Sequence, residues 1–193
     1  MSETHVAAVC GSLREGSYTR IACERALAGA ADLGATTDLV DLRTLDVPLF
    51  GRAGREPGDV PELTRRVRDA DAVVLGTPMY HGSYSSPLKT ALDYCGFDEF
   101  EHKTVGLLAV SGGSFPLPAL EHLRSVCRSL NAWTLPYQAA VPNSHDSFAD
   151  GEFVDEDLAA RVETVGRRVV QYADIRPDPD TFESDQNVGA EDD

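Results

Sequence analysis

The sequence predicts an α/β fold in which a doubly wound, five-stranded parallel sheet carries helices on both faces. Three observations carry that prediction. Apolar runs of strand length alternate with segments whose apolar residues recur at helical spacing. Most of the strand runs are apolar throughout, as strands covered on both faces are. The first run breaks at Gly11 into a loop of hydroxyls and arginines that leads into a helix, the place where open α/β sheets bind anions. With five strands and that loop after the first, the order 2-1-3-4-5 is more economical than a six-stranded dinucleotide arrangement. Right-handed crossovers restrict the remaining topology.

Val6-Ala7-Ala8-Val9-Cys10 is the first strand. Ala22, Ala26 and Ala30, with Cys23 and Leu27 beside them, give the first helix one apolar face, and Gly34 ends it. Residues 37–42 form a short strand, and residues 43–58, with Pro48, Gly51, Gly54, Pro57 and Gly58, form a loop. Asp59, with Glu62 three residues on, is the expected N-cap of a helix that buries Val60, Leu63, Val67 and Ala70. The buried strand 72–76 follows at once. Ser86 and Pro87 are the expected N-cap and first position of a helix whose core face is Leu88, Ala91, Leu92 and Cys95, closed by Gly96. Lys89 opposes the dipole at the start of that helix and calls for a charged partner. Residues 104–110 are the fourth strand, and Leu120, Leu123, Cys127 and Leu130 mark the next helix. Residues 133–141 are the fifth strand, where Pro136 requires an edge position or a bulge. Leu158, Val162, Val165, Val169 and Tyr172 mark the last helix. From Asp174 onward the chain is acidic, proline-bearing and aperiodic. The expected organisation is one domain over residues 1–173 and a disordered acidic tail over 174–193.

A formal net charge of -15 argues against nucleic acid and anionic membrane surfaces as partners, since phosphate would be repelled. Only two of the 17 basic residues are lysine, a surface composition that fits a halophilic setting in which salt screens the self-repulsion. The cysteines Cys10, Cys23, Cys95 and Cys127 are scattered without a Cys-x-x-Cys pair, which reads as buried free thiols in a reducing compartment. Cys10 touches the first loop but ends a buried strand, so packing is its expected role. With neither a signal peptide nor an apolar segment of membrane-spanning length, the expected location is cytoplasmic. His5, His102, His122 and His145 lie singly, without metal-ligand spacing, so no metal site is expected.

The chemistry concentrates in three loops. In Gly11-Ser12-Leu13-Arg14-Glu15-Gly16-Ser17-Tyr18-Thr19-Arg20, the backbone N–H groups and dipole of a helix start combine with the hydroxyls of Ser12, Ser17 and Thr19 and the charges of Arg14 and Arg20. The loop lacks both the Gly-Lys-Ser/Thr ending and the glycine triplet of the two commonest nucleotide motifs, which leaves a mononucleotide phosphate. Ser12 and Ser17 serve equally well as helix caps. The second loop, Gly76 to Lys89, offers a proline-stiffened turn, a glycine for close approach and aromatics able to meet a flat ring. The third supplies Ser111, Gly112 and Gly113. A phosphate cradle beside two loops fit to sandwich a planar heterocycle describes a flavin mononucleotide (FMN) site.

Gly-Ser-Leu-Arg-x-x-Ser at 11–17, Pro-x-Tyr-x-Gly-Ser at 78–83 with Pro87-Leu88-Lys89 behind it, and Ser111-Gly112-Gly113 occur in that order. On these motifs the chain, up to about residue 118, resembles the NAD(P)H-dependent FMN reductase family of flavodoxin-like proteins, which includes azo and quinone reductases. The resemblance implies an FMN-dependent oxidoreductase that takes hydride from NADPH or NADH. Electrons then pass to a small-molecule acceptor, a flavin, quinone or azo compound, by a ping-pong mechanism. It implies a homodimer or homotetramer, with the helix at 87–96, Tyr84, Phe97 and Phe100 as candidate contacts. It places Ser12, Arg14, Ser17 and Thr19 on the FMN phosphate. Pro78, Met79, Tyr80, His81, Gly82 and Ser83 would line the isoalloxazine largely through backbone groups, and Ser111, Gly112 and Gly113 would close the other side. No side-chain acid or nucleophile is required, because the cofactor carries the chemistry. His81 is the single candidate proton donor, against its simpler reading as a hydrogen-bonding surface residue. Met79 and His81 depart from the family's usual Glu and Asn. The competing readings are a flavodoxin-type electron carrier, which usually has a threonine-rich phosphate loop, and a flavin-free signalling module. The latter needs acidic residues where Cys10-Gly11 and Gly76-Thr77 stand.

Overall fold

Five strands pair in parallel into one sheet: β1 (His5–Cys10), β2 (Thr36–Asp41), β3 (Ala72–Pro78), β4 (Thr104–Val110) and β5 (Trp133–Val141), in the order β2-β1-β3-β4-β5. This computed structural model describes residues 3–52, 54 and 56–173, so the expected tail at 174–193 lies outside the described residues. The sheet takes the expected flavodoxin-like order. Val6 is in register with Thr37 and Ala72, Cys10 with Asp41 and Gly76, and Pro78 with Val110, so the first three loops of the site leave neighbouring strand ends. β3 and β4 are buried at every position, which is why their sequences show no alternation.

Helices α1 (Tyr18–Ala31) and α7 (Glu156–Gln171) cover one face, packing Ala22, Ala26, Val162 and Val165 on Ala8, Val74 and Leu108. Helices α2 (Val60–Asp69), α3 (Ser86–Tyr94) and α5 (Leu117–Ser129) cover the other, packing Leu63, Val67, Leu88, Leu120 and Leu123 on Val9, Leu75 and Leu107. α1 and α7 meet backbone to backbone: a Cβ built on Gly166 would stand 1.7 Å from the Ala26 carbonyl oxygen. A one-turn helix, α4 (Phe97–Phe100), links α3 to β4, and another, α6 (Ser144–Ser147), follows β5.

Local chemistry differs from expectation at several points. The N-cap of α3 is Ser85, not Ser86; its φ of -71° and ψ of 151° are extended, and its Oγ accepts from the Leu88 N–H at 3.5 Å. Asp59 does stand at the start of α2, but its carboxylate accepts from the Asp46 N–H at 2.8 Å and ties down the preceding loop instead of capping its own helix. Phe100 is fully buried inside the protomer, which removes it from the candidate contacts between subunits, whereas Phe97 is exposed. Pro136 satisfies both alternatives at once. β5 is an edge strand, and its pairing jumps from Thr134 opposite Val105 to Gln138 opposite Leu107. Arg124 of α5 caps that bulge through the Leu135 carbonyl at 2.9 Å and the Gln138 side chain at 2.9 Å. Lys89 finds its partner one turn on, in an ion pair with Asp93. A small hairpin of β6 (Phe148–Ala149) and β7 (Glu152–Phe153), turning through Asp150 and Gly151 at φ of 50° and 83°, was not anticipated. Cys10, Cys23 and Cys127 are buried and Cys95 partly so, all as free thiols. Among the described residues no helix is long and apolar enough to cross a membrane.

Candidate functional site

The loop after β1 is held from behind. The Gly11 N–H donates to the Gly76 carbonyl at 2.8 Å, and the Ser85 hydroxyl donates to the Gly11 carbonyl at 2.6 Å. A Cβ at Gly11 would sit 2.7 Å from Leu88 Cβ, so only glycine lets the loop lie this close to α3. Gly16, at φ of 63°, turns the chain into α1. Ser17 is the N-cap of α1 and accepts from the Arg20 N–H at 3.2 Å, while Ser12 Oγ accepts from the Arg14 N–H at 3.4 Å. Of the two serines only Ser17 caps the helix, whereas Ser12 closes a local turn within the loop, and each keeps a hydroxyl proton to donate. The first turn of α1 holds no acidic residue, and its N–H groups at Tyr18 and Thr19 have no protein acceptor among the described residues. Ser12, Ser17 and Thr19 are buried in the floor, and Arg14 is exposed above them.

Beneath this loop, Cys10 accepts a hydrogen bond from the Cys23 thiol, which holds the Cys10 thiol below its ordinary pKa against the opposing effect of burial. The Ser12 N–H adds to the lowering. The donor, Cys23, is pushed well up by the same bond and by its own burial. Both thiols are enclosed, in keeping with a packing role.

The second wall continues β3. The Met79 N–H donates to the Val110 carbonyl at 2.8 Å, and Tyr80 and Ser83 exchange backbone bonds of 3.0 and 3.1 Å around a two-residue turn. His81 and Gly82 occupy that turn at φ of 50° and 80°, the left-handed pair of a type I′ turn. His and Asn are among the few residues enriched at such φ, so His81 keeps the turn that an Asn would make. Ser83 Oγ lies 3.0 Å from His122 Nδ1, fastening the turn to α5.

The third wall is the loop after β4. The Ser111 N–H donates to the Val141 carbonyl at 2.9 Å, and the Ser111 hydroxyl donates to the Gly113 carbonyl at 2.5 Å. The loop after β5 returns bonds from the Asn143 N–H to the Gly113 carbonyl at 3.0 Å and from the Ser144 N–H to the Ser111 carbonyl at 2.9 Å. The N–H groups of Gly112 and Gly113 have no protein acceptor among the described residues, and a Cβ on Gly113 would meet nothing within 4 Å.

These walls enclose a cleft of about 430 Å³ at the carboxyl edge of the sheet, lined by Ser12, Arg14, Ser17, Thr19, Pro78, Met79, Tyr80 and Gly112. The cleft thus sits at the switch point between β1 and β3. Ser111 and Gly113 flank Gly112, and Ser111 is buried. His81, Gly82 and Ser83 form the turn beyond Tyr80 and are not among the lining residues. Sequence reasoning missed Tyr18, Val110, Ser144 and His145, which also line the cleft. Ser144 and His145 follow β5 on the same sheet edge as the other three loops, and that placement was the available signal. Tyr18 stacks on Phe148 with ring centres 4.7 Å apart, and His145 stands edge-on to Tyr18 at 6.2 Å. The arrangement can bind a phosphate at the α1 start and a flat ring between Pro78–Tyr80 and Gly112–Gly113.

Comparison with known proteins points the same way. Residues 4–146 match the family described as NADPH-dependent FMN reductase. An FMN-dependent NADPH-azoreductase of Staphylococcus haemolyticus (strain JCSC1435) is 35% identical over 179 residues, which is 88% of this chain and 95% of that protein. One of Staphylococcus aureus (strain USA300) is 38% identical over 125 residues, 62% of this chain and 65% of that protein. Among solved structures, the apo form of the NADH:FMN oxidoreductase EmoB shares the fold with a TM-score of 0.77 at 23% identity, covering 90% of this chain and 92% of that one. The flavoenzyme NAD(P)H:acceptor oxidoreductase FerB of Paracoccus denitrificans does so with a TM-score of 0.69 at 22% identity, covering 88% and 97%.

Proposed function

We propose, from the premise that this chain belongs to the NADPH-dependent FMN reductase family, that it takes hydride from NADPH or NADH and reduces a small-molecule acceptor by a ping-pong mechanism. The acceptor class is an azo compound, a quinone or a free flavin. The observation that carries this reading is the meeting, in one cleft, of an acid-free helix start with donor hydroxyls and of two walls suited to a flat ring. Those residues fit FMN: backbone amides and hydroxyls match a phosphomonoester, and the wall at Gly112 carries no side chain to block a ring edge.

Bound FMN supplies the hydride chemistry. The chain binds and orients. Ser12, Ser17 and Thr19, with Arg14 above them, hold the phosphate, and Pro78, Met79 and Tyr80 form one wall for the ring. The N–H groups of Met79, Tyr80 and Ser83 are already engaged within the protein. The N–H groups of His81, Gly82, Gly112 and Gly113 have no acceptor among the described residues and are the backbone donors left for the ring edge, where preorganised dipoles favour added negative charge. The assembly is a homodimer or homotetramer in the cytoplasm, with Tyr84 and Phe97 as contacts, and the acidic, lysine-poor surface supports a high-salt setting.

Initial rates with NADPH varied at several fixed concentrations of an azo dye test the mechanism. Parallel double-reciprocal lines are expected. Intersecting lines would replace ping-pong with a ternary complex.

A further inference from the structure

We propose that His145 is a cofactor-holding residue, whose imidazolium donates to the phosphate of bound FMN in the cleft it shares with Arg14. The proposal rests on the FMN reading of the cleft. His145 lines that cleft together with Ser17, Tyr18 and Thr19, the residues at the α1 start. Its ring orientation is set by aromatic packing. It stands edge-on to Tyr18 at an interplanar angle of 84°, Tyr18 stacks on Phe148, and Phe148 packs on Phe153 at 4.4 Å. Its other side faces the loop after β4, where a Cβ on Gly112 would lie 3.8 Å from Nε2. Among the described residues neither ring nitrogen has a hydrogen-bond partner, so the donor is left for a ligand.

Charge gives the reason for a second cation. A chain of formal charge -15 must hold a phosphate of nearly two negative charges. The cleft lining carries Glu15 beside Arg14, one formal charge of each sign. The titratable groups that line the cleft with His145 are Arg14 and Glu15 from the loop after β1, Tyr18 from α1 and Tyr80 from the loop after β3, and Asp146 follows it on its own turn. The loop after β4 contributes none over residues 111–116.

The test is the dissociation constant of FMN, by quenching of flavin fluorescence at fixed ionic strength between pH 5.5 and 8.5, for the wild type and His145→Gln. Riboflavin, which lacks the phosphate, is the control ligand. FMN's own phosphate takes its second charge near pH 6, so the ratio of variant to wild type is read at each pH. About tenfold weaker FMN binding by the variant is expected at pH 6, as for a lost bond to a charged group. The ratio should fall as the pH rises, since a neutral ring still donates one N–H but without its charge, and riboflavin binding should be unaffected. His145 is exposed, so the substitution leaves the core intact. A ratio near one at every pH, or an equal loss for riboflavin, would overturn the role of His145 and leave the FMN reading standing. Failure of the wild type to bind FMN at any pH would overturn both.

Discussion

The Ser85 hydroxyl donates to the Gly11 carbonyl at 2.6 Å, tying the N-cap of α3 to the first residue of the loop after β1. The same residue's N–H donates to Thr77 Oγ1 at 2.9 Å, and Ser85 and Thr77 are both buried. One serine thus fixes the spacing between the two loops that meet at the switch point. Ser85→Ala removes a cap and leaves the Gly11 carbonyl unpaired, and a loss of about 1–3 kcal/mol is expected in urea unfolding. FMN affinity should fall with it, because the phosphate loop loses its backing.

Two glycines separate packing from binding. Gly166→Ala puts a methyl into the Ala26 backbone and forces α1 from α7, at a cost of about 2 kcal/mol or more. A methyl on Gly113 meets nothing within 4 Å, so the unfolding free energy of Gly113→Ala should stay within about 0.5 kcal/mol of wild type. Fluorescence titration should nevertheless show weaker FMN binding by that variant, because Gly113 adjoins Gly112 in the cleft wall and its N–H is among the donors left for the ring.

Position 81 tests conformation against chemistry. His81→Asn keeps the left-handed turn, so stability and turnover should both stay close to wild type. His81→Val forces a β-branched residue to positive φ and should cost about 1–2 kcal/mol. A large fall in turnover for His81→Asn, with stability unchanged, would instead make His81 a proton donor.

The Asp38–Arg66 pair sets an acid limit on stability. Arg66 Nε donates to Asp38 Oδ2 at 2.7 Å, and this bond holds the Asp38 carboxyl below its ordinary value, with burial opposing. The unfolded chain therefore binds the proton more readily. The stabilisation is present above the unfolded value near pH 4 and is lost as pH falls through the lower folded value. Asp38→Asn should be less stable by on the order of 1 kcal/mol at pH 7, given partial solvent screening. In thermal melts the gap should close toward pH 2.

Where a single local rule governed, the sequence was readable. The apolar runs located β1, β3, β4 and β5 and hence the sheet, because burial on both faces leaves a plain signature. The loop from Gly11 to Arg20 announced an anion site through donors that any helix start supplies. Properties set by distant partners stayed hidden. Nothing near Ser85 in the chain says that Gly11 lies against it, so the cap was placed one residue late at Ser86. Asp59 does take the N-cap position of α2, but its carboxylate turns to Asp46, in a loop whose path the sequence does not specify. Phe100 stood among the candidate subunit contacts that the resemblance implied, and the sequence of a one-turn helix has too few residues to show that it turns inward. His145 was passed over as a lone histidine, since its place in the cleft depends on Tyr18 and Phe148 arriving from two other elements.

The most direct test of the central claim is the visible spectrum of the FMN-reconstituted protein, in high salt and without oxygen, after removal of free flavin, as NADPH and then NADH are added. The account predicts that flavin stays with the protein and that its absorbance near 450 nm bleaches with one nucleotide or both. Retained flavin that stays yellow with both would contradict the reductase and favour an electron carrier, and a protein that elutes colourless would contradict the cleft assignment itself.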